Sequence, residues 1–160
     1  MKQISALMQR ALKAVEHYLV ADANTLEVPK EYDGYAASFS ASVISSGLFP
    51  TLAFYTDIHK MKGGAQEREA VRRYKLLQAL YYIIVSQAEN KEQIGVNALQ
   101  QWAMSIAYES NPQDSRVRPW GLNRREEAKV QKQIMEAAIA LKLALRNFPQ
   151  KALSPTANQD

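Results

Sequence analysis

The side chains best placed to do chemistry in this chain of 160 residues are its bases. Residues 59–75 carry Lys60, Lys62, Arg68, Arg72, Arg73 and Lys75 against only Glu67 and Glu69. Residues 116–132 carry Arg116, Arg118, Arg124, Arg125, Lys129 and Lys132 against Glu126 and Glu127, and Lys142, Arg146 and Lys151 follow. The net charge of the whole chain is only +4, so the remainder is acidic and the positive charge is gathered in these stretches. Fixed clusters of cations bind anions, most simply nucleic-acid phosphates. A solvated helical surface rich in Arg would look the same, and charge alone leaves both readings open. Trp120 stands among Arg116, Arg118, Arg124 and Arg125. There it could stack on a base or ribose, or fold back onto neighbouring helices.

Other chemistry is missing from the sequence. It has no cysteine, which removes disulfides, thiol catalysis and Cys-containing metal sites. His17 and His59 fall in different helical segments, with no HExxH or His-x-His spacing for zinc. Ser45-Ser46-Gly47 lacks the Gly-x-Ser-x-Gly frame of a nucleophile elbow. Gly63-Gly64 precedes a helix but has no Walker lysine, and no Gly-x-Gly-x-x-Gly occurs. Glu67 and Glu69 project to different sides of a helix. Glu126 and Glu127 suit the favourable end of a helix dipole better than acid–base work. The expectation is a protein without catalytic residues, metal or cofactor.

The elements that must position the bases read as helices. Glycine and proline number six each, too few for a fold built on many turns. Ile4, Leu7, Met8, Ala11, Val15, Tyr18 and Leu19 recur at helical spacing over 3–21. Residues 22–29 read as a linker, with Pro29 suited to the first turn of a helix over 30–46 rich in Ala and Ser. Gly47 ends or kinks that helix, and Pro50 fits the first turn of another running to about 60. The clearest helix spans 66–89. Ala70, Tyr74, Leu77, Tyr81, Ile84 and Ala88 form its apolar face, with Arg68, Arg72, Lys75, Ala79, Tyr82 and Ser86 opposite. Asn97 heads a shorter helix. Asn123 with Glu126 resembles a capping box for a last helix with the stripe Val130, Ile134, Ala137, Leu141, Leu145 and Phe148. The expected fold is all-α: a compact single-domain bundle of five to six helices over 1–148, no sheet, and a flexible tail over 149–160. Phe39, Leu48, Leu52 and Phe54 are expected in its core, and Trp102 with the Tyr74/Tyr81 pair likewise. No apolar run approaches a membrane span, which points to a cytoplasmic protein.

The stretch from Tyr35 to Lys60 resembles a known family. Tyr35, Phe39, Ile44, Ser46-Gly47-Leu48, Leu52-Ala53-Phe54-Tyr55 and Lys60 are similar to the signature of the small subunit of the type III-B CRISPR–Cas effector, the RNA-targeting Cmr complex. Tyr74-Lys75-Leu76-Leu77 resembles its next helix, and Glu136-Ala137 through Arg146 and Phe148 its closing one. That closing helix in the family carries a Trp and a Lys-Arg pair; here Lys142 and Arg146 are the bases left there, and the 110–125 loop has no counterpart. The resemblance implies a helical, non-catalytic subunit. Its partners would be other subunits of the complex, further copies of itself, and guide and target RNA, with no membrane and no small-molecule substrate. Phosphate contacts position a strand without reading it, which suits a subunit that must accept any guide.

Two other readings compete. A DNA-binding regulator would use the 66–89 helix, after Gly63-Gly64, as its recognition helix. A helical scaffold or adaptor would turn the same basic surface to an acidic protein.

Overall fold

The computed structural model describes residues 2–57, 64–85, 95, 97–107 and 123–151. Among these the chain forms α1 (Lys2–Ala14), a π-helical turn (Val15–Leu19), β1 (Val28–Pro29), α2 (Glu31–Ser46), α3 (Leu48–Thr56), α4 (Ala65–Ile84), α5 (Ala98–Ala107), α6 (Arg124–Leu145) and β2 (Gln150–Lys151). The fold is all-helical apart from one two-residue strand pair, as the turn-poor composition predicts.

α4 lies at the centre and touches all five other α-helices, while α6 packs on α1, α2, α4 and α5. The α6 stripe is buried as expected: Val130, Ile134, Ala137, Leu141 and Leu145 are all in the core, and Phe148 is half-buried. Asn123 starts α6 by accepting a hydrogen bond from the Arg125 amide at 3.1 Å, satisfying one otherwise free donor of the first turn. The reciprocal half of a capping box is replaced by an ion pair, Glu126 to Lys129 at 3.2 Å. Between α1 and α4, Arg10 donates to the Ile83 carbonyl at 3.4 Å. That places a cation at the negative end of the α4 dipole.

Gly47 joins α2 to α3 with φ 93° and ψ 163°, backbone that only glycine adopts readily. Its carbonyl accepts from the Thr51 hydroxyl at 2.8 Å, and Thr51 in turn shares a bond with Ser42 at 2.9 Å. The corner thus satisfies the hydroxyl of the buried Thr51.

Several expectations need correction. Pro29 does not open α2; it sits in β1, which pairs in parallel with β2. The Val28 amide donates to Pro149 and the Lys30 amide to Lys151. Proline is tolerated between them because the ladder asks no donor of that position. The sheet is therefore small but present, and residues 149–151 are held by it; residues 152–160 lie outside the described residues. The π-turn breaks the helix expected over 3–21. Its closing bond, Val20 amide to Val15 carbonyl at 3.1 Å, inserts one extra residue into the turn. The core face of α4 is wider than one stripe: Leu76, Leu77, Ala79, Leu80 and Ile83 are all buried, Ala79 included. A helix with neighbours on most sides has no single apolar face. Tyr74 and Tyr81, expected in its core, are half-buried, as is Trp102. Phe39, Leu48 and Leu52 are fully buried, but Phe54 is 57% exposed.

Candidate nucleic-acid interface

Arg68, Arg72 and Lys75 follow one another at helical spacing on α4, over ~10 Å of its length. The structure brings them together on one side of an open cleft of about 500 Å³. The opposite side is apolar: Leu19 at the end of the π-turn, Val20, Ala21 and Pro29. Tyr32, from the first turn of α2, and Val71 complete it, and Gly64, the residue before α4, stands at its edge. That edge carries the positive end of the α4 dipole.

The three cations are not equivalent. Arg72 reaches across to α2, with Nη1 3.1 Å from Glu31 Oε1. Arg68 is exposed and Lys75 half-buried, and neither makes an ion pair among the described residues. Among the described residues it is Glu31, remote in sequence, that closes on this stripe.

Arg73 belongs elsewhere. Its Nη2 lies 3.4 Å from Glu69 Oε2, and its guanidinium covers the Phe54 ring on α3. Arg124 and Arg125 are exposed at the start of α6, whereas Lys142 is half-buried near its end and Arg146 exposed just past it. At 1.5 Å per residue the two groups stand about 25–30 Å apart along the helix. Lys142 and Arg146 also complement the C-terminal end of the α6 dipole. Lys60, Lys62, Arg116 and Arg118 lie outside the described residues, as do Trp120 and His59.

The displaced ionisations around the site are those of tyrosines. Burial pushes the Tyr32 hydroxyl far above its ordinary value, with the Arg72 charge opposing the shift. Burial also raises Tyr35, where Glu69 adds to the rise and Arg72 and Arg73 oppose it. Tyr55 is raised chiefly by burial, and its hydroxyl donates to the Tyr35 carbonyl at 3.2 Å. These phenols stay protonated at neutral pH and act as packing and hydrogen-bonding groups. Among the described residues, no cluster of three or more His, Asp or Glu could hold a metal ion, and no helix is long and apolar enough to cross a membrane.

The residues that sequence reasoning missed are Glu31, Tyr32 and the apolar wall from Leu19 to Ala21. The only local signal was Pro29, which lines the same cleft.

No curated protein and no solved structure matches the chain. The family model for CRISPR-associated protein (Cas_Cmr5) matches residues 4–110, which take in α1 through α5. An all-helical chain with this signature, matched over more than half its length, belongs to the Cas_Cmr5 family of CRISPR-associated proteins, that of the small subunit of the type III-B effector complex.

Proposed function

We propose that this subunit contributes no catalysis and works by lying along RNA. Its Arg68–Arg72–Lys75 face meets the phosphates of guide or target RNA, and further copies of it stack alongside in the cytoplasmic complex. The observation that carries this reading is the cleft wall itself, three cations in one stripe of which two have no carboxylate partner among the described residues. Such contacts hold a strand without reading its bases, leaving specificity to base pairing. Arg124, Arg125, Lys142 and Arg146 would serve as outlying phosphate contacts, and Lys60, Lys62, Arg73, Arg116 and Arg118 belong to the same proposed set. For contact with other subunits or copies, α6 offers Ile139 and Leu143 one turn apart, and α2 offers Ile44; all three are exposed apolar side chains.

The test is the double change Arg68→Glu and Lys75→Glu in the assembled complex. Arg72 is left intact because Arg72→Glu would set two carboxylates against each other at Glu31. Affinity for target RNA should fall equally for unrelated sequences. The slope of log affinity against log salt should flatten by ~0.7 per lost single-strand contact. Unchanged affinity and slope in a correctly assembled complex would refute the reading.

A further inference from the structure

A surface that only holds phosphates needs cations and nothing else. The α4 cleft has more. Its cationic wall faces an apolar one, and this second wall exists because the π-turn ends at Leu19 and the chain then runs extended through Val20, where φ is −66° and ψ 127°. Pro29 is fixed beside it by the pairing of β1 with β2. Tyr32, itself buried, also lines the cleft. The volume of about 500 Å³ falls within the ~300–1,000 Å³ typical of small-ligand sites. Charge on one side and apolar surface on the other match a ligand that is itself divided, with an anionic group at one end and a planar or apolar body at the other.

We propose that this cleft is a nucleotide subsite. It takes a single nucleoside phosphate, with the phosphate on Arg68 and Lys75 and the base or ribose against Val20, Ala21 and Pro29. This rests on the RNA-contact reading and narrows it: one nucleotide of the strand is seated in the cleft while its neighbours meet only the outer cations. Arg72 takes part conditionally. The Glu31 carboxylate occupies its guanidinium at 3.1 Å, where a phosphate oxygen would otherwise bind, so Glu31 competes with the ligand from within the fold.

The full-length chain is titrated with adenosine monophosphate, inorganic phosphate, adenosine, and a short unstructured oligoribonucleotide, followed by amide chemical shifts. The monophosphate should bind more tightly than either phosphate or adenosine, with shifts centred on Leu19–Ala21 and Arg68–Lys75. Arg68→Gln with Lys75→Gln should weaken it about tenfold or more, the loss expected of charge-assisted bonds. Glu31→Gln should tighten it several-fold. Ala21→Phe fills the apolar side from an exposed position and leaves the cations untouched. It should abolish the preference for the monophosphate over phosphate. The oligoribonucleotide arm separates the sources: competition between it and the monophosphate assigns the subsite to a strand nucleotide, and monophosphate binding without competition assigns it to a free nucleotide and overturns the strand assignment. Equal binding of monophosphate and phosphate, or indifference to Ala21→Phe, would overturn the subsite. The Arg68→Glu/Lys75→Glu result in the assembled complex decides the broader reading separately.

Discussion

The guanidinium of Arg73 lies 4.7 Å from the centroid of the Phe54 ring while its Nη2 is 3.4 Å from Glu69. One arginine thus ties α4 to α3 and gives an exposed aromatic ring a partner. Such a contact is worth ~0.5–1 kcal/mol at an exposed site. Phe54→Ala should therefore cost about 1 kcal/mol in a denaturant melt. Phe39→Ala, which empties a fully buried position, should cost about 3–5 kcal/mol. Equal losses would show that Phe54 is buried in a way the structure does not contain.

Gly47→Ala tests the α2–α3 corner. An added Cβ would meet only Pro50 Cδ at 3.7 Å, an ordinary contact, so space is not the obstacle. The obstacle is φ at +93°. The expected loss is about 1–3 kcal/mol, seen as a lower denaturant midpoint with unchanged far-UV circular dichroism. A neutral result would mean that the corner relaxes into a different turn.

The buried Tyr32 hydroxyl makes stability fall at high pH. Its folded-state pKa is raised above the ordinary 10.0, so the folded state holds the proton that the unfolded chain releases. The stabilisation is complete below about pH 10 and declines as pH rises beyond it, by ~1.4 kcal/mol per unit for one group. Denaturant midpoints at about pH 9 and pH 11 should differ accordingly, and Tyr32→Phe should reduce the difference. Tyr18, Tyr35 and Tyr55, also raised, supply the part that persists in the variant.

The Glu31–Arg72 pair joins side chains 19% and 29% exposed. A double-mutant cycle on Glu31→Gln and Arg72→Gln should return a coupling of about 0.2–1 kcal/mol, as for other solvent-accessible pairs. A coupling well above that would make the pair a structural strut and Glu31 a poor competitor for a ligand.

The sequence made α6 legible because one apolar stripe met one interior and Asn123 marked the start. The helical content followed from spacing and scarce turn residues, and the Tyr35–Lys60 signature led to the family. α4 was harder. Its neighbours surround it, so Ala79 is buried on the side assigned to Arg68, Arg72 and Lys75, and no one-sided pattern expresses that. Phe54 reads as a core residue by type, but α3 turns it outward, where Arg73 covers part of the ring. The basic stripe was visible as spacing, but the cleft was not. Its second wall depends on a π-turn with no sequence mark and on a strand pair whose halves lie near opposite ends of the chain. Glu31 and Arg72 meet for the same reason, through tertiary packing between helices remote in sequence.

That strand pair also orders events in time. Five helices, α2 to α6, lie between β1 and β2 in the chain, and a parallel pairing at such separation gains nothing until those helices have brought its ends together. The Val28 and Lys30 amides, which donate across it, would then be protected last during refolding. In the native state their hydrogen exchange would report opening of this edge alone, independent of global unfolding. Since Pro29 stands between them, each such opening would also loosen one wall of the cleft. The rate at which a bound nucleotide escapes would then be tied to the breathing of two backbone hydrogen bonds rather than to the helices that carry the charge.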